Sequence, residues 1–357
     1  MEKPLFIRVD SGVRIGAGHV MRCLALAQAW TSTGGKAAFI TASEGQGLVG
    51  RLAAEGFPVA RLEEAHPLSG DWETTAGILS AHPGAWVVLD GYHFDPEYQH
   101  RVREAGHPLA VIDDTAHLDH YRADILVNQN IRAETIDYSC ERHTRLLLGP
   151  PYTLLRTEFL RYRGWVREAR KTARRVLVMM GGSDPGNQTG RVIRSLHQAG
   201  MDHLEVTCVV GVDNPHMREL ESLAGSLPLQ VRVLQDPPDI PGLMAWADAA
   251  ISGAGSTCWE LAFMGLPAAV LVLADNQRGI AAGLAAYGTV INLGEAAEAP
   301  DAHMAEAPDA HMAEALSSLI GDRGLRADMS RKGRELIDGR GAERVVENLR
   351  RWSPSAK

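Results

Sequence analysis

The sequence predicts an α/β protein made of two halves, each a parallel sheet covered by helices. Three observations predict it. Short apolar runs alternate with helix-periodic runs along most of the 357 residues. The apolar runs show no polar alternation and stop at polar or glycine residues, as strands buried between helix layers do. The alternation breaks at residues 149–173, where Pro150-Pro151 precedes a polar, arginine-rich stretch ending in Arg170-Lys171, and then starts again. A chain of this length exceeds one typical core. The expected division is residues 1–160 and 161–357.

In the first half, strands are expected at residues 5–9, 37–41, 86–89, 109–112 and 125–127. Helical runs lie at 20–30, 47–55 and 96–105. Ligands of such sheets collect outside the carboxyl ends of the strands. The polar residues there are Asp10, Ser11, the Gly16–His19 turn, Asp90-Gly91-Tyr92, Asp113-Asp114 and Asn128-Gln129-Asn130. In the second half, strands are expected at 175–180, 204–210, 229–234, 249–251 and 268–273. Helices follow at 188–199 and from 257 through Phe263. The end of the chain reads as helices at 316–320, 324–337 and 342–352. An eight-residue string, Glu298-Ala299-Pro300-Asp301-Ala302-His303-Met304-Ala305, is repeated at once over 306–313. Paired histidine ligands are one reading of it; a duplication tolerated in a surface loop is the plainer one.

The net charge of −8 carries no basic stripe for nucleic acid. No apolar run is long enough to span a bilayer. Met1-Glu2-Lys3-Pro4 ahead of a strand is not a secretory signal, and four scattered cysteines (Cys23, Cys140, Cys208, Cys258) suit reduced thiols. A cytoplasmic protein is expected, with no nucleic-acid partner and no membrane insertion. Monomer and dimer both stay open.

Three glycine-bearing turns follow strands and open helices. The first, Gly16-Ala17-Gly18-His19, lacks the third glycine of a dinucleotide loop and the Lys-Ser/Thr of a Walker loop. No cofactor is expected. His19 falls in the first helical turn, where caps favour Ser, Thr, Asp or Asn. The positive end of a helix favours a neutral ring there, which a general base needs. A packed turn histidine is the competing reading. The other two turns are Gly181-Gly182-Ser183 with Asp184 to Asn187, and Ser252 to Thr257 with Gly255, Ser256 and Thr257 at the helix start. Two such loops can cradle a diphosphate with backbone N–H groups and helix ends, without a metal. Glu260, one turn on, could accept both ribose hydroxyls or only offset the helix dipole. Asp113-Asp114 could be an acid/base or metal pair, or a turn-forming cap; the chain has no Asp-x-Asp. No metal site is expected. Tyr92 and His93 end a strand where they could line a cleft. His117 and His120 read as residues of a solvated loop. Cys258 has no evident base partner.

Taken together, the motifs resemble the UDP-sugar hydrolases of pseudaminic acid biosynthesis, the PseG/SpsG-like family. The resemblance rests on Arg8-x-Asp10, Gly16-x-Gly18-His19-x-x-Arg22, Asp90-Gly91-Tyr92, Ile112-Asp113-Asp114 and Asn128-Gln129-Asn130. It continues through Leu148-Gly149-Pro150-x-Tyr152-x-Leu154-Leu155-Arg156-x-Glu158-Phe159, Gly181-Gly182-Ser183-Asp184-Pro185, Gly253-x-Gly255-Ser256-Thr257-x-x-Glu260 and Asn276-Gln277. The second half also looks like the UDP-binding domain of MurG-type glycosyltransferases.

The resemblance implies a GT-B fold of two Rossmann-like domains facing a cleft; a hinge near residues 150–172 could supply the closure such a site needs. It implies UDP on the second domain and His19 activating a water. That water attacks the anomeric carbon of a UDP-2,4-diacetamido-2,4,6-trideoxyhexose with inversion. Tyr92 and Asn276 match positions expected near the sugar or the water. Asp10, Gly16, Gly18, Arg22, Gly181, Gly182, Ser183, Gly255, Ser256, Thr257, Glu260 and Gln277 complete the expected substrate-binding set. Two competing functions share the scaffold. An inverting, metal-independent glycosyltransferase would use His19 on an acceptor. A non-catalytic nucleotide-sugar binder would show no turnover.

Overall fold

A computed structural model describes residues 3–12, 17–43, 46–296 and 310–353. Gly16 and most of the duplicated string at 298–313 lie outside the described residues. The chain forms two units: one runs to Leu160 and resumes at Gly339, the other spans Arg161–Asp338.

The first unit contains β1 (Leu5–Val9), α1 (Gly18–Ser32), β2 (Ala37–Thr41), α2 (Gln46–Ala54), β3 (Val59–Arg61) and α3 (Ser69–Ser80). It continues with β4 (Trp86–Asp90), α4 (Pro96–Glu104), β5 (Leu109–Ile112), β6 (Ile125–Asn128), β7 (Arg145–Leu148) and the one-turn α5 (Thr157–Leu160). Its seven strands are all parallel, in the order β3-β2-β1-β4-β5-β6-β7. The order reverses between β1 and β4, which opens a crevice at their carboxyl ends. Alternation along β1 serves two cores. Leu5, Ile7 and Val9 join Val20, Leu24 and Ala27 of α1 on one face, and Phe6 joins Val87, Leu89 and Tyr98 on the other. Arg8 points with Phe6 and is fully buried, bonded to Asp71 and Asp10.

The second unit contains β8 (Arg175–Met179), α6 (Gln188–Gln198), β9 (Glu205–Val210), α7 (Met217–Ser226), β10 (Gln230–Gln235), α8 (Ile240–Trp246) and β11 (Ala249–Gly253). It ends with α9 (Thr257–Phe263), β12 (Ala268–Val272), α10 (Arg278–Tyr287), β13 (Val290–Glu295), α11 (Ala310–Gly321) and α12 (Arg323–Leu336). Its parallel order, β10-β9-β8-β11-β12-β13, is the dinucleotide-fold order with the reversal between β8 and β11. Both downstream glycine turns thus leave the two strands that flank the switch.

The last helix, α13 (Gly341–Arg351), belongs to the first unit, so the expected boundary at 161–357 is corrected at its far end. Ala342, Val345, Val346 and Leu349 form one apolar stripe in the core around α1. Trp352 meets Trp86 edge-on at 5.2 Å. A Cβ on Gly341 would lie 2.2 Å from the Thr153 carbonyl oxygen, so only glycine lets the helix start so close to that backbone. Strands β3, β7 and β13, which sequence reading does not place, lie at sheet edges and are partly exposed.

Candidate functional site

The switch point of the first sheet carries a cluster of ionisable side chains. α1 begins at Gly18 without a side-chain cap, which places His19 in its first turn and Arg22 one turn on. β4 ends in Asp90, which is fully buried. His19 Nδ1 lies 2.5 Å from Asp90 Oδ1. Arg22 grips the same carboxylate twice, Nε to Oδ2 and Nη2 to Oδ1, both at 2.6 Å. Burial pushes the Asp90 carboxyl up, but Arg22 and His19 outweigh it and hold it well below the usual carboxylate range. An ionised carboxylate only accepts, so Nδ1 carries a proton, and in the neutral ring Nε2 holds the lone pair. Arg22 Nη2 stands 3.0 Å from Nδ1, both being directed at the same oxygen.

A second carboxylate balances the arginine: Arg22 Nη1 donates to Asp114 Oδ1 at 2.6 Å. Asp114 Oδ2 accepts from the Tyr92 hydroxyl at 2.9 Å. The Tyr92 ring, 38% exposed, stands edge-on between His19 at 5.2 Å and His117 at 5.4 Å. His117 lies on an exposed loop, as expected, and its ring is held by Asp113 at 2.8 Å beside the cluster. Asp113 is the turn-forming reading realised: it also accepts from Thr115 N, Ala116 N, Tyr121 and Tyr138. The adjacent aspartates face different partners and form no acid/base pair.

Asp10, expected to touch substrate, has its oxygens engaged by Arg8, Thr41, Ala42 N and His93, so it anchors the turn after β1. Arg22 carries the same expectation, and its guanidinium is committed to two carboxylates. The buried Cys23 thiol donates to Asp90 at 3.3 Å, and burial plus that charge raise it well above the usual thiol range. Asp90 and Asp114 stand in the sequence among the polar residues at strand ends, but nothing there pairs them with His19 and Arg22. The available signal is a carboxylate directly after an apolar strand.

The second switch point is built differently. Gly181 and Gly182 are exposed, and a Cβ on either would meet nothing within 4 Å. The Gly182 carbonyl accepts Gly211 N–H at 2.9 Å. The start of α6 is not open to a phosphate as expected. Asp184 accepts Gln188 N, Thr189 N and Thr189 Oγ1, and Asn187 accepts Gly190 N, so side chains already hold those donors. Burial raises the Asp184 carboxyl above its ordinary value against the pull of these bonds. The start of α9 has no such cap: Ser256 makes no side-chain cap bond, and Gly255, Ser256 and Thr257 are half-buried. Glu260 stands in the same first turn. Gln277 accepts Leu273 N at 2.9 Å, and its Nε2 is the atom a Gly255 side chain would approach. Gln277 and Gly255 thus meet at one loop, with exposed Asn276 beside them. Cys258 is buried, which pushes its thiol up to about 12 and leaves it no nucleophile.

Among the described residues no three His, Cys, Asp or Glu side chains converge as metal ligands, and no helix is long and apolar enough to cross a membrane.

Residues 176–301 match the family model described as the glycosyltransferase family 28 C-terminal domain. The spore coat polysaccharide biosynthesis protein SpsG of Bacillus subtilis is 29% identical over 208 residues, 58% of each chain. The uncharacterized protein MJ1062 of Methanocaldococcus jannaschii is 26% identical over 280 residues, 76% of this chain and 56% of that one. The chain thus spans little more than half the length of the curated relatives it matches. Among solved structures, MurG of Acinetobacter baumannii has a TM-score of 0.65 at 16% identity, covering 98% of this chain and all of that one. UGT2 of Phytolacca americana, solved with UDP-2fluoro-glucose and pterostilbene, has a TM-score of 0.64 at 14% identity, covering 99% of this chain and 100% of that one. With two parallel Rossmann-like sheets, these likenesses establish an α/β GT-B fold.

Proposed function

We propose that the protein hydrolyses a UDP-linked 2,4-diacetamido-2,4,6-trideoxyhexose to the free sugar and UDP, in pseudaminic or related nonulosonic acid biosynthesis. The observation that carries this reading is the His19–Asp90 pair, which orients the ring and leaves Nε2 as the proton acceptor. In the reaction, Nε2 takes a proton from water as the oxygen bonds to the anomeric carbon. The bond from that carbon to the UDP oxygen breaks on the opposite face, giving inversion, and UDP leaves with the electron pair. Asp90 stabilises the imidazolium so formed, as a buried carboxylate does for a catalytic histidine. Arg22, balanced by Asp114, fixes Asp90. In the second unit, the Gly181–Ser183 loop and the uncapped start of α9 are the groups assigned to the diphosphate, with Glu260 assigned to the ribose. Tyr92 and Asn276 are assigned to the sugar or the attacking water. The similarity to SpsG and the UDP-sugar complex of UGT2 support a nucleotide-sugar substrate. A cytoplasmic location is part of this proposal.

A second reading, an inverting glycosyltransferase, draws on the match of residues 176–301 and the likeness to MurG. There Nε2 would deprotonate an acceptor hydroxyl or amine. A panel of UDP-sugars incubated with and without acceptors separates the readings. Catalytic UDP release without acceptor supports hydrolysis, and release that requires one supports transfer. Tight binding with no turnover across the panel rejects both in favour of a binder.

A further inference from the structure

The turn after β9, residues 211–216, holds the loop after β8 at two points. Gly211 N–H donates to the Gly182 carbonyl at 2.9 Å. His216 Nε2 donates to the Pro185 carbonyl at 3.0 Å. Buried Asn214 ties these two points into one turn. Its N–H donates to the Gly211 carbonyl at 3.2 Å, and its Oδ1 accepts His216 N–H at 2.8 Å. The loop is therefore pinned on either side of Ser183 and Asp184 by residues about 30 positions further along the chain.

The first of these bonds fixes a direction. The Gly182–Ser183 peptide is trans, so its carbonyl and its N–H point opposite ways. With the carbonyl drawn to Gly211, the Ser183 N–H points away from β9. Strands β9 and β11 flank β8 on opposite sides, so that is the direction of β11 and the uncapped start of α9. Among the described residues the Ser183 N–H has no protein acceptor. The donors at the start of α6 are already held by Asp184 and Asn187, so anion binding by this loop falls to its own amides.

We propose that Gly211 and His216 are positioning residues of the nucleotide site, holding the loop so that the Ser183 N–H meets a phosphate oxygen. This rests on the reading that the loop takes the diphosphate of a UDP-sugar. Each residue acts through a loop carbonyl and not through the nucleotide. Position 211 admits only glycine in this arrangement. A Cβ there would lie 2.5 Å from the Gly182 carbonyl oxygen, 2.9 Å from its Cα and 3.0 Å from its carbonyl carbon. All three are main-chain atoms, so any side chain displaces the peptide that carries the donor. An amide N–H aimed in advance at an anion costs no reorganisation when the anion arrives.

Calorimetric titration of the full chain with UDP tests this, with Gly182→Val as the check on the loop itself. Gly211→Ala is expected to weaken UDP by on the order of tenfold, the loss of one hydrogen bond to a charged group. His216→Ala is expected to weaken it by on the order of threefold, as loss of a neutral hydrogen bond does. His216→Gln, whose amide can donate to the Pro185 carbonyl, is expected to restore part of that loss. Melting temperatures without ligand check that each variant folds, and the His216 pair carries the test if Gly211→Ala does not. A turn that only stabilises the fold would lower the melting temperature and leave UDP affinity alone. Undiminished UDP binding by either alanine variant removes that residue from the role. Undiminished binding by both, with Gly182→Val weakened, overturns the proposal and leaves the phosphate reading standing. Undiminished binding by all three overturns the two together, and equal loss in His216→Ala and His216→Gln overturns the part given to the Pro185 contact.

Discussion

The two sheets share a strand order and a switch point, yet their carboxyl edges hold opposite kinds of residue. At the first, Asp90, Arg22, Asp114 and His19 lock one another through short ionic bonds. At the second, glycines leave open backbone, and the one buried carboxylate described there, Asp184, caps the helix behind the loop. The same topology thus supports a rigid charged cluster in one unit and an accessible main-chain cradle in the other. Preorganised charge suits proton transfer, and open backbone suits phosphate oxygens.

The sharpest way to break this contrast is at the first edge. His19→Ala is expected to lower UDP release by on the order of 100- to 10,000-fold. Asp90→Asn, which disturbs the ring tautomer, is expected to act in the same direction, by on the order of 100-fold or more. UDP affinity measured by calorimetry should stay within about twofold in both, because general-base catalysis and nucleotide binding are separate terms. A parallel loss of UDP affinity would mean that the edges do not divide the work.

The reciprocal test is Gly182→Val. A Cβ there meets nothing in the protein, so the fold should hold while close approach of a phosphate is blocked. UDP affinity is expected to fall on the order of tenfold or more, a loss of about 1.4 kcal/mol or greater. An unchanged affinity, with an unchanged melting temperature, would remove the loop from the phosphate site.

The two edges should also respond oppositely to acid. Asp10, Asp90 and Asp113 are held below their ordinary values in the folded state. Their stabilisation is therefore full above the unfolded carboxylate value, about pH 4, and is lost as pH falls toward the folded values. Asp184 is raised, so its sign reverses: it favours folding most in acid and less as pH rises through its folded value. Hydrogen exchange followed by peptide from pH 7 to pH 3 should show β1 and β4 losing protection before β8 and β11. Earlier loss in the second unit would contradict the ionic account of the first.

The smallest effect is expected at Cys258. It follows the glycine turn in sequence but is buried, with its thiol pushed up to about 12. Cys258→Ser should leave turnover within about twofold, since an un-ionised thiol is a poor nucleophile. A loss of activity with the fold intact would reopen a covalent route.

Much of the fold is legible in the residues themselves. Strands buried on both faces must be apolar throughout, so the central strands of both sheets stand out in sequence to within a residue or two. His19 stands out because it occupies an unusual place at a helix start. Asp90 shows only as a strand end, because its partner lies 71 residues away and no local pattern encodes that distance. The loop at His117 is exposed, as its sequence suggests, but the contacts of its ring with Asp113 and Tyr92 come from the fold. The α6 donors look free in sequence, but Asp184 bends back through a left-handed turn to occupy them.

What the sequence alone determined are the features that depend on near neighbours: strand and helix periods, glycine turns, the break between halves and the stripe of α13. What only the tertiary structure decided are the features that depend on which strand lies beside which. Parallel pairing carries β4 alongside β1 and brings Asp90 under His19. The same long-range packing returns α13 to the first unit and commits Asp10 and Arg22 to neighbouring side chains. Burial and pairing set the charge and orientation of an ionisable group, and both are made by residues distant in the chain.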